Sequence, residues 1–491
     1  MNAHIAAFDN DKYIALQSAA IRDRAKRFDN KLYLEIGGKL LKDLHAARIL
    51  PGFEPDVKLR MLRSLGDQIE FIVCAYAGDI EHRRYRADFG TTYDTEVRRL
   101  IDDVRACGLK ADNVVLTRFD PSFHHAANFA EGLRRDGIKV HLHSAIPGYP
   151  SNVELILSDA GFGANPYVET TAPIVGVIAP GPSSGKLATC LSQVWHENQR
   201  GVKAGYAKYE TFPVWNLPLN HPVNVAYEAA TVDIEDFNQI DPFHLEAYGK
   251  TAINYNRDVE IFPVLNALFE GIYGENPYKS PTDMGVNMIG FCISDDEVCC
   301  KASKNEIIRR FYTATNKLAD GADNENEVSK IRLLFNQAKI TTAFRPVTTA
   351  AYEKKLESGH TAAAIELEDG TLITAKSSPL LGCSAALLLN ATKYLAGIDH
   401  EAKLIPESLI EPVQKTKTEY LGAKNPRLHT DEVLVALSVY STHDDNCRKA
   451  LEQLPKLRDC QVHSTVMLSE VDRKIFKKLG CGLTCDPVRK K

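Results

Sequence analysis

No apolar run in this 491-residue chain approaches the ~20 residues that a helix needs to cross a bilayer. The longest candidate, 380–395, is interrupted by Ser384, Asn390 and Lys393, which predicts a buried helix. Charge of one sign is not in excess either. A formal net charge of −5 gives no global attraction to nucleic acid or an anionic membrane. One short basic run, His82-Arg83-Arg84-Tyr85-Arg86, reads as a solvated helix face. The C-x-x-C spacing is missing, although the chain holds eleven cysteines. That odd, scattered set predicts free thiols in a reducing cytoplasm, with no signal peptide at Met1. Low-complexity tracts and solenoid repeats are also lacking. What remains is an ordinary globular composition, 44% hydrophobic and 25% charged, long enough for roughly three domains.

From residue 67 the pattern becomes regular. Apolar runs at 69–77, 113–119, 139–146 and 173–179 predict strands buried on both faces. Between them, 96–109 and 123–137 carry helical spacing and end on Gly108 and Gly137. Strands alternating with helices predict a parallel doubly wound sheet, whose ligands sit at the carboxyl ends of the strands. Residues 304–340 read as two helices. Beyond Ala343 a hairpin at 363–377 turns on Asp369-Gly370, a helix spans 383–397, and strands are expected at 431–441 and 461–469. The expected layout is a mixed N-terminal segment (1–65) packing on the first domain, an α/β phosphate-binding domain (66–300), a helical subdomain (301–342) and a C-terminal α/β subdomain (343–491).

The segment "IVGVIAPGPSSGKLATCLSQ" (174–193) places a Gly-Lys pair between a predicted strand and a predicted helix. The phosphate-binding loop G-x-x-x-x-G-K-[ST] has the same setting. Here Pro180 stands at the first glycine position, with the glycine displaced to Gly181, and Leu187 stands where a Mg²⁺-ligating hydroxyl belongs. The physical parts of an anion site are nevertheless present: unpaired amides at a helix start, permissive glycines and an ammonium. Gly181, Ser183, Ser184, Gly185, Lys186 and Thr189 are the expected binding residues. The other reading is a tight strand-to-helix corner with a solvent-facing lysine.

"HENQR" (196–200) begins like the zinc-protease signature, but Arg200 occupies the second histidine position. This excludes that chemistry and leaves Glu197 and Arg200 as an exposed helical ion pair. The irregular stretch 221–260 is dense in polar groups among prolines and aromatics, as functional loops are. Glu228, Asp233, His244 and Arg257, with Lys186, form the candidate catalytic set, as general bases, Mg²⁺ ligands or an anion clamp. The alternative for each is a loop-stabilising side chain bonded to backbone. His141 and His143 share a strand face, which would let them reach a ligand or a metal together, the other reading being core or loop histidines. Cys383, at a helix start with no identified base, reads as structural.

Several long motifs, "KLYLEIGGKL…DLHAARILPGF", "APGPSSGKLATCLSQ", "GYAKYETFPVWNLPLNHPVNVAYEAAT", "DPFHLEAYG", "INYNRDVEIFPVL" and "SSPLLGCSAALLLNA", resemble a bacterial family, domain of unknown function 1846 (uncharacterised protein family 0371). The resemblance runs nearly end to end. It implies a multi-domain α/β protein with a small helical subdomain and a C-terminal α/β subdomain. Some members carry a label of ATP-dependent peptidase, but no G-x-S-x-G elbow and no intact metal motif supports a peptidase here. The expected function is that of a cytoplasmic enzyme binding a nucleotide with Mg²⁺, or another phosphorylated ligand, for phosphoryl transfer or ATP-dependent ligation. The alternatives are an enzyme acting on a phosphorylated or carboxylated metabolite without nucleotide, and a non-catalytic sensor or assembly protein. The expected partner is a small anionic ligand, not nucleic acid or a membrane, and a homo-oligomer is left open.

Overall fold

The computed structural model describes residues 6–489, apart from 39, 41–42 and 87–89. Its larger sheet has six parallel strands: β1 (Leu32–Ile36), β2 (Ile69–Tyr76), β3 (Lys110–Thr117), β4 (Lys139–Leu142), β5 (Ile174–Ile178) and β6 (Gly205–Tyr209). Their spatial order is β4-β3-β2-β5-β1-β6. β1, β2 and β5 are almost wholly buried, as apolar runs covered on both faces should be. The N-terminal segment contributes β1 to the interior of this sheet, paired with β5 and β6. The sequence "KLYLEIGGKLLKD" (31–43) reads as a strand, a Gly-Gly turn and a return strand or helix, and the return element falls partly outside the described residues.

The order explains where a ligand would sit. From β2 the chain runs through helix α1 (Tyr93–Ala106) to β3, toward one edge. From β5 it runs through helix α2 (Lys186–Gln199) to β6, past β1 toward the other edge. Right-handed crossovers in opposite directions put the two helices on opposite faces. Neighbouring β2 and β5 therefore flank a topological switch point, with a crevice at their carboxyl ends. On the α2 face, Tyr33, Ile72, Cys74, Val175 and Val177 pack against Cys190, Leu191 and Val194. Helix α3 (Asn256–Tyr273) closes the same core with Phe262, Leu265 and Phe269.

By internal contacts the chain falls into two units: residues up to 228 with 235–300, and 229–234 with 301–489. The second begins within helix α4 (Asp296–Ala319) and carries its own mixed sheet. Strands β7 (Ala362–Glu366) and β8 (Leu372–Lys376) form the expected hairpin, with Gly370 in the left-handed region. With β9 (Gln461–Ser464) and β10 (Gly482–Cys485) the order is β8-β7-β9-β10. Helix α5 (Cys383–Leu395) packs Leu387 and Leu388 over it, beside Ile365 and Val462. The strand expected at 431–441 is instead helix α6 (Thr430–Tyr440). Its apolar residues run around the helix, so the sequence shows no period. At its start Glu432 Oε2 accepts from the His429 amide at 2.7 Å.

Candidate functional site at the β5–α2 corner

β5 ends at Ile178, the chain turns through 179–185, and α2 begins at Lys186. Two residues of the turn, Ser183 at φ +55° and Gly185 at φ +85°, are left-handed. Such residues gather successive N–H groups into a concavity that suits an anion. Gly185 is doubly constrained: a Cβ there would also lie 2.9 Å from Thr117 Cγ2. The Thr117 hydroxyl braces the turn from beneath by donating to Ser184 O at 2.9 Å. No side chain caps α2. Among the described residues, the amides of Ser184, Gly185, Lys186, Leu187 and Ala188 have no protein acceptor, and the first helical bond is Thr189 N–H to Gly185 O at 3.0 Å.

The expected hydroxyl donors are arranged differently. Ser184 Oγ, buried, donates back to Gly181 O at 2.9 Å. Thr189 Oγ1 donates to Gly185 O at 3.0 Å and accepts from the Cys74 thiol at 3.4 Å. Both hydroxyl protons are committed inside the protein, so Ser184 presents only its backbone amide, and Thr189, whose amide also bonds Gly185 O, presents no donor. Gly181 packs beneath Tyr93, where a Cβ would come within 2.7 Å of the phenol oxygen. Ser183 is exposed, and its carbonyl accepts from Arg118 at 2.6 Å.

The corner opens onto a cavity of about 460 Å³. Lys186 lines it and makes no ion pair among the described residues. The remaining walls come from the carboxyl ends of three more strands: Glu35 of β1, Thr117 at the end of β3 with Arg118 after it, and His143 to Ile146 after β4, joined by Tyr149 and Asn165. Arg118 lies 3.7 Å over the Tyr76 ring, which holds a second cation beside the turn. Glu35 is the single carboxylate in the lining and accepts from Tyr206 Oη at 2.8 Å. Burial lowers the His143 pKa to about 4 although its Nε2 bonds Pro166 O at 3.0 Å, so this imidazole is neutral at pH 7. Burial and the nearby Glu35 push Tyr149 up to about 12, which keeps its phenol a donor. Cys74, beneath the turn, is likewise raised to about 12 by burial and is no nucleophile.

The candidate catalytic residues of 221–260 do not line this cavity. Glu228 accepts from the Asn238 amide at 3.3 Å, with its pKa raised by burial. His244 Nδ1 meets Ser280 Oγ at 3.0 Å. Arg257 pairs with Asp236 at 2.5 Å. Asp233 is exposed on a 3₁₀ turn belonging to the second contact unit. Each thus has a structural role or an exposed position. The Glu197–Arg200 pair also needs correction. Glu197 is buried and accepts from Tyr33 Oη at 2.7 Å and Tyr167 Oη at 2.9 Å, whereas Arg200 stacks on the Tyr167 ring at 3.9 Å. His196 bonds Asn165 O at 2.9 Å. Glu35, Thr117, Arg118 and Tyr149 were not legible as site residues. For Thr117 and Arg118 the available signal was their place at the end of a predicted strand.

Residues 6–339 match the family described as "Domain of unknown function DUF1846, N-terminal", and residues 343–491 match its C-terminal counterpart. The chain is similar to a UPF0371 protein of Corynebacterium urealyticum, 53% identical over 484 residues that cover 99% of this chain and 97% of the relative. It is also similar to a UPF0371 protein of Streptococcus thermophilus, 49% identical over 482 residues, 98% of this chain and 97% of that protein.

Proposed function

We propose that this chain, which belongs to the DUF1846 family, is an enzyme of the reducing cytoplasm acting on a phosphorylated small molecule held at the start of α2. One observation carries the reading: the uncapped start of α2, with Lys186, lines a cavity at the switch point of a parallel sheet. The helix dipole and Lys186 favour a phosphate there. Arg118 adds charge at the rim. The organic part of the ligand would lie against Ile146, Tyr149 and Leu187, with Glu35 as the acid–base group. Because the Ser184 and Thr189 hydroxyls are engaged internally, a ligand bound without Mg²⁺ is favoured over a Mg²⁺–nucleotide. The nucleotide reading draws on the Gly-Lys corner itself.

Calorimetry with inorganic phosphate, sugar phosphates, ATP and GTP, each with and without Mg²⁺, tests this. Expected is binding of a metal-independent phosphorylated ligand that weakens about 10- to 100-fold in Lys186→Ala, the range for loss of a charged hydrogen bond. Binding of nucleotides only, and only with Mg²⁺, would select the second reading. No binding at millimolar ligand, or indifference to Lys186→Ala, would remove both.

A further inference from the structure

A second cluster lies away from the cavity lining. His221, in the loop before the helix Pro222–Thr231, faces the first turns of α4. Asp296 and Cys300 are four residues apart on α4, and this spacing stacks their side chains on one helix face. His221 Nε2 is 3.0 Å from Asp296 Oδ1. Cys300 Sγ is 3.6 Å from His221 Nε2 and 3.7 Å from Asp296 Oδ2. Zinc bonds of about 2.0–2.3 Å place tetrahedral ligand atoms about 3.3–3.8 Å apart, so the three donors already stand close to that spacing. They are one nitrogen, one oxygen and one sulfur, a set matched to a borderline-soft ion and unlike the all-oxygen shells of Mg²⁺ and Ca²⁺.

We propose that His221, Asp296 and Cys300 form a site for a Zn²⁺-type transition metal, with the fourth position open to water. Binding releases the Cys300 thiol proton to solvent and leaves a metal thiolate. The metal takes the Nε2 lone pair, so the ring proton resides on Nδ1. This displaces the long 3.3 Å contact in which Nδ1 accepts from the Val223 amide. The site ties the loop to α4 independently of any ligand at the β5–α2 corner.

The test is titration of the full, metal-stripped chain with Co²⁺, read by absorption. Expected is one equivalent giving a thiolate-to-cobalt charge-transfer band with tetrahedral ligand-field bands, displaced by Zn²⁺. Cys300→Ser should abolish the charge-transfer band, whereas Cys299→Ala, at the buried neighbouring thiol, should keep it. Asp296→Asn, at an exposed side chain that should not threaten folding, should weaken affinity about 10-fold or more while leaving the melting temperature of the metal-free protein unchanged. No charge-transfer band at millimolar Co²⁺, persistence of the band in Cys300→Ser, or unchanged affinity in Asp296→Asn would overturn the site.

Discussion

At the scale of single residues, Gly185 and His143 carry measurable consequences. Gly185→Ala places a Cβ at φ +85° against Thr117. It is expected to lower stability by about 1–3 kcal/mol in urea unfolding, the usual cost of left-handed strain. It should also weaken phosphate-ligand binding, since the amides turn with it. His143 gives a pH dependence of fixed sign. Its folded pKa of about 4 lies below the ordinary 6.5. Between these values the unfolded chain takes a proton that the folded chain refuses. Stability should therefore fall as the pH drops below 6.5, by up to about 3 kcal/mol from this residue at full protonation. His143→Gln should flatten that slope in urea titrations at pH 7 and pH 5, and an unchanged slope would contradict the assignment. The sequence places Gly185 and Lys186 between a strand and a helix because that pattern is local. It does not show that the Ser184 and Thr189 hydroxyls bond inward, because the direction of a hydroxyl depends on carbonyls and thiols that the fold brings near. It missed Glu35 because a carboxylate in a five-residue strand shows nothing of the strand beside it.

At the scale of elements, the clearest case is the start of α6. Helix α7 (Glu470–Lys478) supplies Asp472, which accepts from the Thr430 amide and hydroxyl, both at 2.9 Å, and from Ser469 Oγ at 2.8 Å. His429 Nδ1 is 3.0 Å from the same carboxylate. The hydrogen bond that His429 donates to Asp472 raises the His429 pKa, and against the penalty of burial that pairing and the Thr430 amide bond hold Asp472 below its usual range. The His429 contribution is thus present below its unfolded pKa and lost as pH rises through the raised value. The Asp472 contribution is present above its unfolded pKa and lost in acid. Asp472→Ala should cost about 3–5 kcal/mol in urea unfolding, as breaking a buried charged network does. A loss under about 1 kcal/mol would show that the cap is incidental. This cap is also why 431–441 misled: Val433, Val435 and Val439 suggest a strand, and the decisive partner lies over thirty residues away. Where apolar spacing was regular, as in Val97, Ile101 and Val104 of α1, the sequence was sufficient.

At the scale of the whole molecule, alternation of strands and helices announced a parallel sheet, but not that β5 inserts between β2 and β1. Strand order is set by which edges the crossovers reach, and no local pattern encodes it. That order creates the crevice, so the cavity was not legible even though one of its walls was. The separate cores of the two contact units give a further expectation. A ligand at 100 times its Kd adds about 2.7 kcal/mol to whatever structure must form to bind it. Hydrogen exchange should therefore slow in β2 and β5 on ligand binding and stay unchanged in β7 and β9. Equal slowing in both sheets would mean that the units unfold as one.

The most direct test of the central claim is a crystal structure with the tightest metal-independent phosphorylated ligand found by calorimetry. Its phosphate oxygens should lie about 2.7–3.2 Å from the amides of Lys186 to Ala188 and from Lys186 Nζ. A ligand whose phosphate lies elsewhere, with those amides bonded only to water, would contradict the account.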